Sequence, residues 1–257
     1  MLELSQITKI YHPGQITETR VFEDFSLKIN DGEFVSVVGS NGSGKTTLLN
    51  IICGTLPIER GEILLDGKDF SHLKEYERYR SIGRVYQNPS MGSCPELTIA
   101  ENMALAEQKG GRFGLSRGVN RKRIDSYREQ LATLGLGLEN KMDVRVGLLS
   151  GGQRQAMSLL MATMVPLRFL ILDEHTAALD PKTAELIMQL TDTVVKQKKL
   201  TAIMVTHNLG YAVEYGSRIL MMHKGQIVLD RAGEEKAQTQ VKDLLSLFNA
   251  ISVECGN

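Results

Sequence analysis

The run Gly39-Ser40-Asn41-Gly42-Ser43-Gly44-Lys45-Thr46-Thr47 combines the residue types that a nucleotide's phosphates demand. It fits the spacing G-x-x-x-x-G-K-[ST]. Glycines let the backbone turn tightly and bring several N–H groups onto one anion. Lys45 adds a mobile charge for the outer phosphates, and the Thr46 hydroxyl suits Mg²⁺. The chemistry implied is binding of ATP or GTP. A second group lies downstream, where the apolar run Arg168-Phe169-Leu170-Ile171-Leu172 ends in Asp173-Glu174. Placed at the carboxyl end of a strand beside such a loop, Asp173 orients Mg²⁺ directly or through water. Glu174 then points toward the γ-phosphate and polarises an attacking water. Taken alone, the two acids could simply close a strand.

A third group, Leu149-Ser150-Gly151-Gly152-Gln153-Arg154-Gln155, reads as a second anion site. Ser150 is a natural helix N-cap, and the glycines expose backbone N–H groups at the start of the helix that follows. In isolation it is only a capped helix.

These groups need elements to hold them. Glu33-Phe34-Val35-Ser36-Val37-Val38 reads as a strand entering the phosphate loop, and Leu48, Leu49, Ile51 and Ile52 read as the buried face of a helix starting near Lys45. The positive end of that helix faces the phosphates. The first eighty or so residues are β-rich, with rough alternation at Leu2, Leu4 and Ile7 and at Phe25, Leu27 and Ile29, a strand over 62–66 closed by Gly67, and turns at Asp31-Gly32 and His12-Pro13-Gly14. From about 89 to 164 the spacing is helical, notably over 98–106 and 124–134. Strand and helix then alternate: strands at 169–172 and 201–205, a helix over 183–195, and closing strands at 219–222 and 226–229 around Lys224-Gly225. The expectation is an α/β core interrupted by a helical insert.

Composition bounds the rest. The chain has 257 residues, 30 basic and 30 acidic, with 42% hydrophobic and 23% charged residues. These are values of an ordinary globular chain with no global bias toward nucleic acid or anionic membrane, and no nucleic-acid partner is expected. The longest apolar stretch, 156–172, is broken by Pro166 and Arg168, so it does not span a bilayer as one apolar helix. The first residues lack the basic and apolar regions of a signal peptide. Cys53, Cys94 and Cys255 show no metal or disulfide spacing and read as free thiols. The segment 109–123 carries Lys109, Arg112, Arg117, Arg121, Lys122 and Arg123 and no acid. It reads as an exposed basic loop, either a solvated connection or a surface for a partner protein or anionic lipid.

Lying between the phosphate loop and the Asp173-Glu174 strand, the 149–155 motif resembles the signature of ATP-binding cassette ATPases, the engine subunits of ABC transporters. The resemblance runs from Tyr11 to about Leu229. It implies a P-loop NTPase (RecA-like) α/β fold, with a mostly parallel core sheet, an N-terminal antiparallel β-subdomain and an inserted α-helical subdomain. It implies one domain over 1–257: a catalytic core with the β-subdomain at 1–88 and 165–232, a helical subdomain at 89–164 and a tail at 233–257. Tyr11 resembles the aromatic residue that stacks on adenine. Gln87 resembles the glutamine that touches Mg²⁺ or the attacking water and links nucleotide to membrane partner. Asp180 resembles the residue across the dimer seam, and Asp180-Pro181 also reads as an N-cap followed by proline at the first helical position. His207 resembles the histidine that bonds the γ-phosphate.

The resemblance further implies ATP and Mg²⁺ as cofactors and a head-to-tail homodimer. In that dimer Ser150, Gly151, Gly152 and Gln153 of one copy close over the phosphate loop of the other. It also implies integral membrane permease subunits gripped by the helical subdomain and the Gln87 loop, an extracytoplasmic solute-binding protein, and a place at the cytoplasmic face of the membrane. The expected function is energising import of a small amino-acid-like solute, of tryptophan or tyrosine type; the alternatives are an exporter of lipoprotein or peptide and a soluble cassette ATPase for iron–sulfur assembly. The tail is expected to pack on its own domain through Val241, Leu244, Leu245, Phe248 and Ile251. One residue departs from the family: His175 stands where proline usually follows the catalytic glutamate. It is either a tolerated variant or a titratable ring that makes turnover pH-sensitive near neutrality.

Overall fold

The computed structural model describes residues 1–111 and 118–254, with 251–254 as helical backbone. The chain forms two compact units, Met1–Arg78 with Lys199–Asn257, and Tyr79–Lys198. The first unit opens with β1 (Leu2–Tyr11), β2 (Thr19–Ile29), β3 (Phe34–Gly39), α1 (Lys45–Cys53), β4 (Arg60–Leu65), β5 (Lys68–Asp69) and the short α2 (Glu75–Arg78). The second unit contains β6 (Ile82–Val85), α3 (Ile99–Glu107), α4 (Ile124–Ala132), α5 (Gly151–Ala162), β7 (Phe169–Asp173) and α6 (Pro181–Lys198). The chain returns to the first unit with β8 (Ala202–Val205), α7 (Leu209–Glu214), β9 (Arg218–His223), β10 (Gln226–Ala232), α8 (Gly233–Gln238) and α9 (Val241–Glu254).

In the first unit, β1 pairs antiparallel with β2 and β4, and β5 continues antiparallel from β4. The alternation at Leu2, Leu4 and Ile7 slips by one because the strand bulges: the register shifts between Leu4 and Ile7, and Gln6 takes φ 51°. Beside this lies the parallel part. β3 pairs in parallel with both β8 and β9, and all residues of β3 and β8 are buried, which is why β8 reads as an unbroken apolar run and β3 as one broken only by the small Ser36. β10 folds back antiparallel on β9 through Lys224 (φ 44°) and Gly225 (φ 75°), the left-handed pair a tight hairpin needs. A Cβ on Gly225 would lie 1.8 Å from the Val21 carbonyl oxygen, so only glycine fits.

In the second unit, β6 and β7 pair in parallel, and a core of Ile99, Met103, Tyr127, Leu131, Met157 and Ile187 joins the helices. The α3 helix starts at a capping box in which Thr98 and Glu101 exchange bonds. The sequence reading missed β6, because Gly83 and Arg84 interrupt its short apolar pattern. Gly83 is there for space: its Cβ would meet the Ala162 carbonyl oxygen at 2.8 Å.

Two expectations change. The α9 helix packs through Leu244, Leu247 and Phe248, while Val241 and Leu245 are exposed. The stripe i, i+3, i+4 beginning at Leu244 is the one that meets Ala212 and Met221; the Ile251 side chain lies outside the described residues. In the 109–123 segment, Lys109 Nζ donates to the Ile82 carbonyl at 2.8 Å and Arg123 pairs with Glu107. Those two cations therefore serve the fold; Arg112 and Arg117 lie outside the described residues, as does Cys255. Cys53 is buried and Cys94 exposed, both as thiols outside any disulfide. No helix among the described residues is long and apolar enough to cross a membrane.

Candidate functional site

In the first unit, β3 delivers the chain into the loop and α1 takes it away. Gly39 has φ 155°, and a Cβ there would stand 2.3 Å from the Met222 carbonyl oxygen, so the strand can end only in glycine. Gly44 caps α1 at φ 102° with no side-chain cap bond. The first N–H groups of α1 therefore have no side chain of the cap to satisfy them, and they converge where an anion can. Lys45 is buried, and its Nζ donates to the carbonyls of Gly39 at 2.7 Å and Ser40 at 2.9 Å. The ammonium thus sits inside the loop, with Ser40, Asn41, Gly42 and Thr46 exposed at its mouth. Tyr11, half-buried at the end of β1, shares a 3.3 Å hydrogen bond with the Thr47 hydroxyl. His207 is exposed between β8 and α7, where Asn208 caps α7 by accepting the Tyr211 N–H. A cavity of about 330 Å³ is lined by Ser40, Asn41, Thr206 and His207 together with Leu245 and Phe248 of α9. The structure thus gathers Tyr11, the phosphate loop and His207 in one unit.

The second unit holds the acids, Gln87 and the 149–155 motif. Asp173 ends β7, and its Oδ2 accepts a 2.6 Å bond from Arg84 Nη2 on β6. Glu174 follows at φ 47°, a left-handed backbone uncommon for a non-glycine residue. Gln87 is exposed just beyond β6. Its loop is held by α5: Gln155 Nε2 donates to the Tyr86 carbonyl at 3.1 Å, and the Ser158 hydroxyl donates to the Pro89 carbonyl at 3.3 Å. Sequence reasoning missed Arg84, Gln155 and Ser158. The available signal was polarity at apolar positions, a charge within a short buried strand and two polar groups on the buried face of α5.

Ser150 caps α5 as expected, and Gln153 completes a capping box: Ser150 Oγ accepts the Gln153 N–H and Gln153 Oε1 accepts the Ser150 N–H, both at 3.2 Å. Gly152 has a second reason to be glycine. Its Cβ would lie 2.3 Å from Thr183 Cγ2 on α6. Asp180 caps α6 by accepting the Thr183 N–H at 3.1 Å, and hydrogen bonds from the Thr183 hydroxyl and then from its N–H hold the carboxyl below the usual range.

His175 corrects the idea of a switch near neutrality. The ring is 1% exposed, and its Nε2 lies 3.0 Å from the Thr191 hydroxyl. That hydroxyl donates its one proton to the Ile187 carbonyl at 2.7 Å, so Nε2 carries the hydrogen and donates. Burial lowers the pKa to about 4, and the ring is neutral across the neutral range.

Thr46, Gln87 and Asp173 offer oxygens only, the donor chemistry that Mg²⁺ takes, usually one or two protein oxygens beside phosphate oxygens. Among the described residues no group of three or more His, Cys, Asp or Glu is placed to hold an ion.

The comparisons with known proteins agree. Residues 22–177 match the family described as ABC transporter. The chain is 43% identical over 248 residues to a tyrosine transport ATP-binding protein of Clostridioides difficile, covering 96% of this chain and 98% of that one. It is 32% identical to a putative hemin import ATP-binding protein of Staphylococcus haemolyticus, covering 89% and 99%. Among solved structures, it resembles a dimeric ATP-binding cassette in a post-hydrolysis state bound to ADP and phosphate, with a TM-score of 0.76 at 31% identity over 90% of this chain and 98% of that one. It also resembles the ADP conformation of an ABC transporter cassette, with a TM-score of 0.79 at 26% identity over 100% and 99%. A phosphate loop on a buried parallel strand, a capped Ser-Gly-Gly helix and this likeness over nearly the whole length make the chain a member of the ABC transporter family, an ATP-hydrolysing ATP-binding subunit.

Proposed function

We propose that this subunit powers import of a small amino-acid-like solute of the tyrosine or tryptophan type by separate membrane subunits. The observation that carries the reading is the 43% identity over almost the full length to a tyrosine transport ATP-binding protein. On this reading the core and β-subdomain comprise 1–88 and 165–232, the helical subdomain 89–164 and the tail 233–257. The helical subdomain and the Gln87 loop bear on the permease, at the cytoplasmic face of the membrane. An extracytoplasmic solute-binding protein completes the complex.

The working form is a head-to-tail pair of copies, a reading supported by the dimeric cassette that this chain resembles. Tyr11 stacks on adenine. The N–H groups of residues 39–47, with Lys45 and His207, hold the phosphates. Ser150, Gly151, Gly152 and Gln153 of the second copy cover the γ-phosphate, with Asp180 at the seam. ATP favours the closed pair because it binds both copies, and loss of the γ-phosphate removes the bridge. Thr46, Asp173 and Gln87 would hold Mg²⁺, which neutralises charge on the phosphate oxygens. Glu174 polarises the attacking water.

Glu174→Gln is expected to lower turnover by roughly 100-fold or more while ATP binding persists and ATP drives dimerisation, read by light scattering. Normal turnover would remove the assignment of Glu174. The solute is tested by purifying the chain with its membrane subunits into vesicles and measuring ATP-driven uptake of labelled tyrosine and tryptophan. Release of peptide or lipoprotein, or purification with soluble partners only, would overturn import.

A further inference from the structure

Arg84 is a charged residue in a strand whose other members, Ile82, Gly83 and Val85, are buried. Its side chain is 7% exposed and that of Asp173 15%, so their 2.6 Å contact is largely screened from water. The guanidinium also lies over the Tyr86 ring, 4.8 Å from its centroid. Tyr86 is fixed in turn, its hydroxyl 3.0 Å from that of Tyr79 and its carbonyl held by Gln155. Register explains the meeting: β6 pairs in parallel with β7, Arg84 opposite Ile171 and Val85 opposite Leu172, so the long arginine reaches the strand's end.

We propose that Arg84 is a positioning residue that competes with the metal for Asp173. It holds the carboxylate oriented before nucleotide arrives, and it raises the Mg²⁺ concentration needed for metal–nucleotide binding. This rests on the reading of Asp173 as the carboxylate that orients Mg²⁺. Three physical facts support it. A guanidinium does not deprotonate at working pH, so the competition persists across the whole range. A dication and a guanidinium compete for the same oxygen, and their repulsion is strong where water is largely excluded. The Tyr86 face gives the guanidinium a second seat, so it can yield Oδ2 without being stranded as an unpaired charge.

The test reads binding rather than turnover. In the Glu174→Gln background, binding of a fluorescent ATP analogue is titrated with Mg²⁺. Arg84→Met is expected to lower the half-saturating Mg²⁺ concentration about three- to tenfold. Arg84→Gln, polar and neutral, is expected to do the same and serves if the methionine variant fails to fold. An unchanged or raised concentration in a folded variant overturns the proposal. Asp173→Asn in the same background separates the two ideas. It should raise the Mg²⁺ requirement strongly; if it leaves the requirement at the parent value, the metal reading of Asp173 falls. If it raises the requirement while both Arg84 variants match the parent, only the competition falls.

Discussion

Helices α1 and α5 begin in opposite ways. The tip of α1 follows Gly44 at φ 102° and has no side-chain cap bond; the tip of α5 is closed by reciprocal bonds between Ser150 and Gln153. A tip with no side-chain cap leaves its first N–H groups without a cap's oxygen, the arrangement that suits an anion. A capped tip is complete by itself, so α5 is stable without one. The cap does not disqualify α5 from anion contact. A hydroxyl that accepts one bond still has its own proton to donate, and the N–H groups of Gly151 and Gly152 are not used by the box. On the proposed reading, the first unit carries the obligate phosphate grip, and the second carries a tip suited to a conditional one.

The largest effect expected from this contrast is at Lys45. Lys45→Ala removes a buried ammonium from the phosphate loop and should weaken ATP binding at least ~100-fold by calorimetry, since charge-assisted bonds carry about 1.5–3 kcal/mol each. Retained affinity would end the claim that α1's loop is the obligate grip. Next in size is an acid weakness confined to the second unit. The folded pKa of His175 lies at about 4, below the ordinary 6.5, so between these values the unfolded chain binds a proton that the folded chain refuses. Stability is unaffected by this ring above pH 6.5, falls as pH drops toward 4, and levels off below; the loss is up to about 3 kcal/mol. Urea unfolding at pH 7 and pH 5 should show about 2 kcal/mol of that loss in the parent and lack it in His175→Gln. The ATPase pH profiles of the parent and of His175→Pro should superimpose near neutrality. The smallest effect is at the cap. Ser150→Ala should cost about 1 kcal/mol in urea unfolding and leave ATP affinity of the monomer unchanged. Weakened monomer binding would mean that the two tips do not divide the work this way.

Legibility followed distance along the chain. The phosphate loop, the Ser150 cap, the Asp180 cap before Pro181 and the closing hairpin at Lys224-Gly225 were all readable, because each is made within a few residues. Buried strands β3, β7 and β8 were readable because a strand covered on both faces is apolar along most of its length. β6 was not, since two of its residues answer to partners elsewhere: Gly83 to Ala162, and Arg84 to Asp173. His175 was left open between a tolerated variant and a titratable ring for the same reason. Its burial against Thr191, sixteen positions on in α6, decides its protonation, and nothing beside it in sequence announces that contact. Arg78 is a further case. Its guanidinium is buried and spent on carbonyls that include Ile51 and Ile52 near the end of α1, a service to the phosphate-loop helix that no spacing discloses.

By itself the sequence determined the local machinery: the loop that turns around an anion, the two helix tips, the strand that ends in acids, and with them membership in a family of ATP-hydrolysing subunits. Those depend on backbone freedom, capping and period, which act over a few residues and are written in residue type. Only the tertiary structure decided the company those groups keep: that Asp173 is held by Arg84, that Gly152 must clear Thr183, and that His175 is dry and neutral. The reason is that register between strands and burial between helices are properties of the whole packing, and they set which charge meets which carboxylate and which ring loses its water.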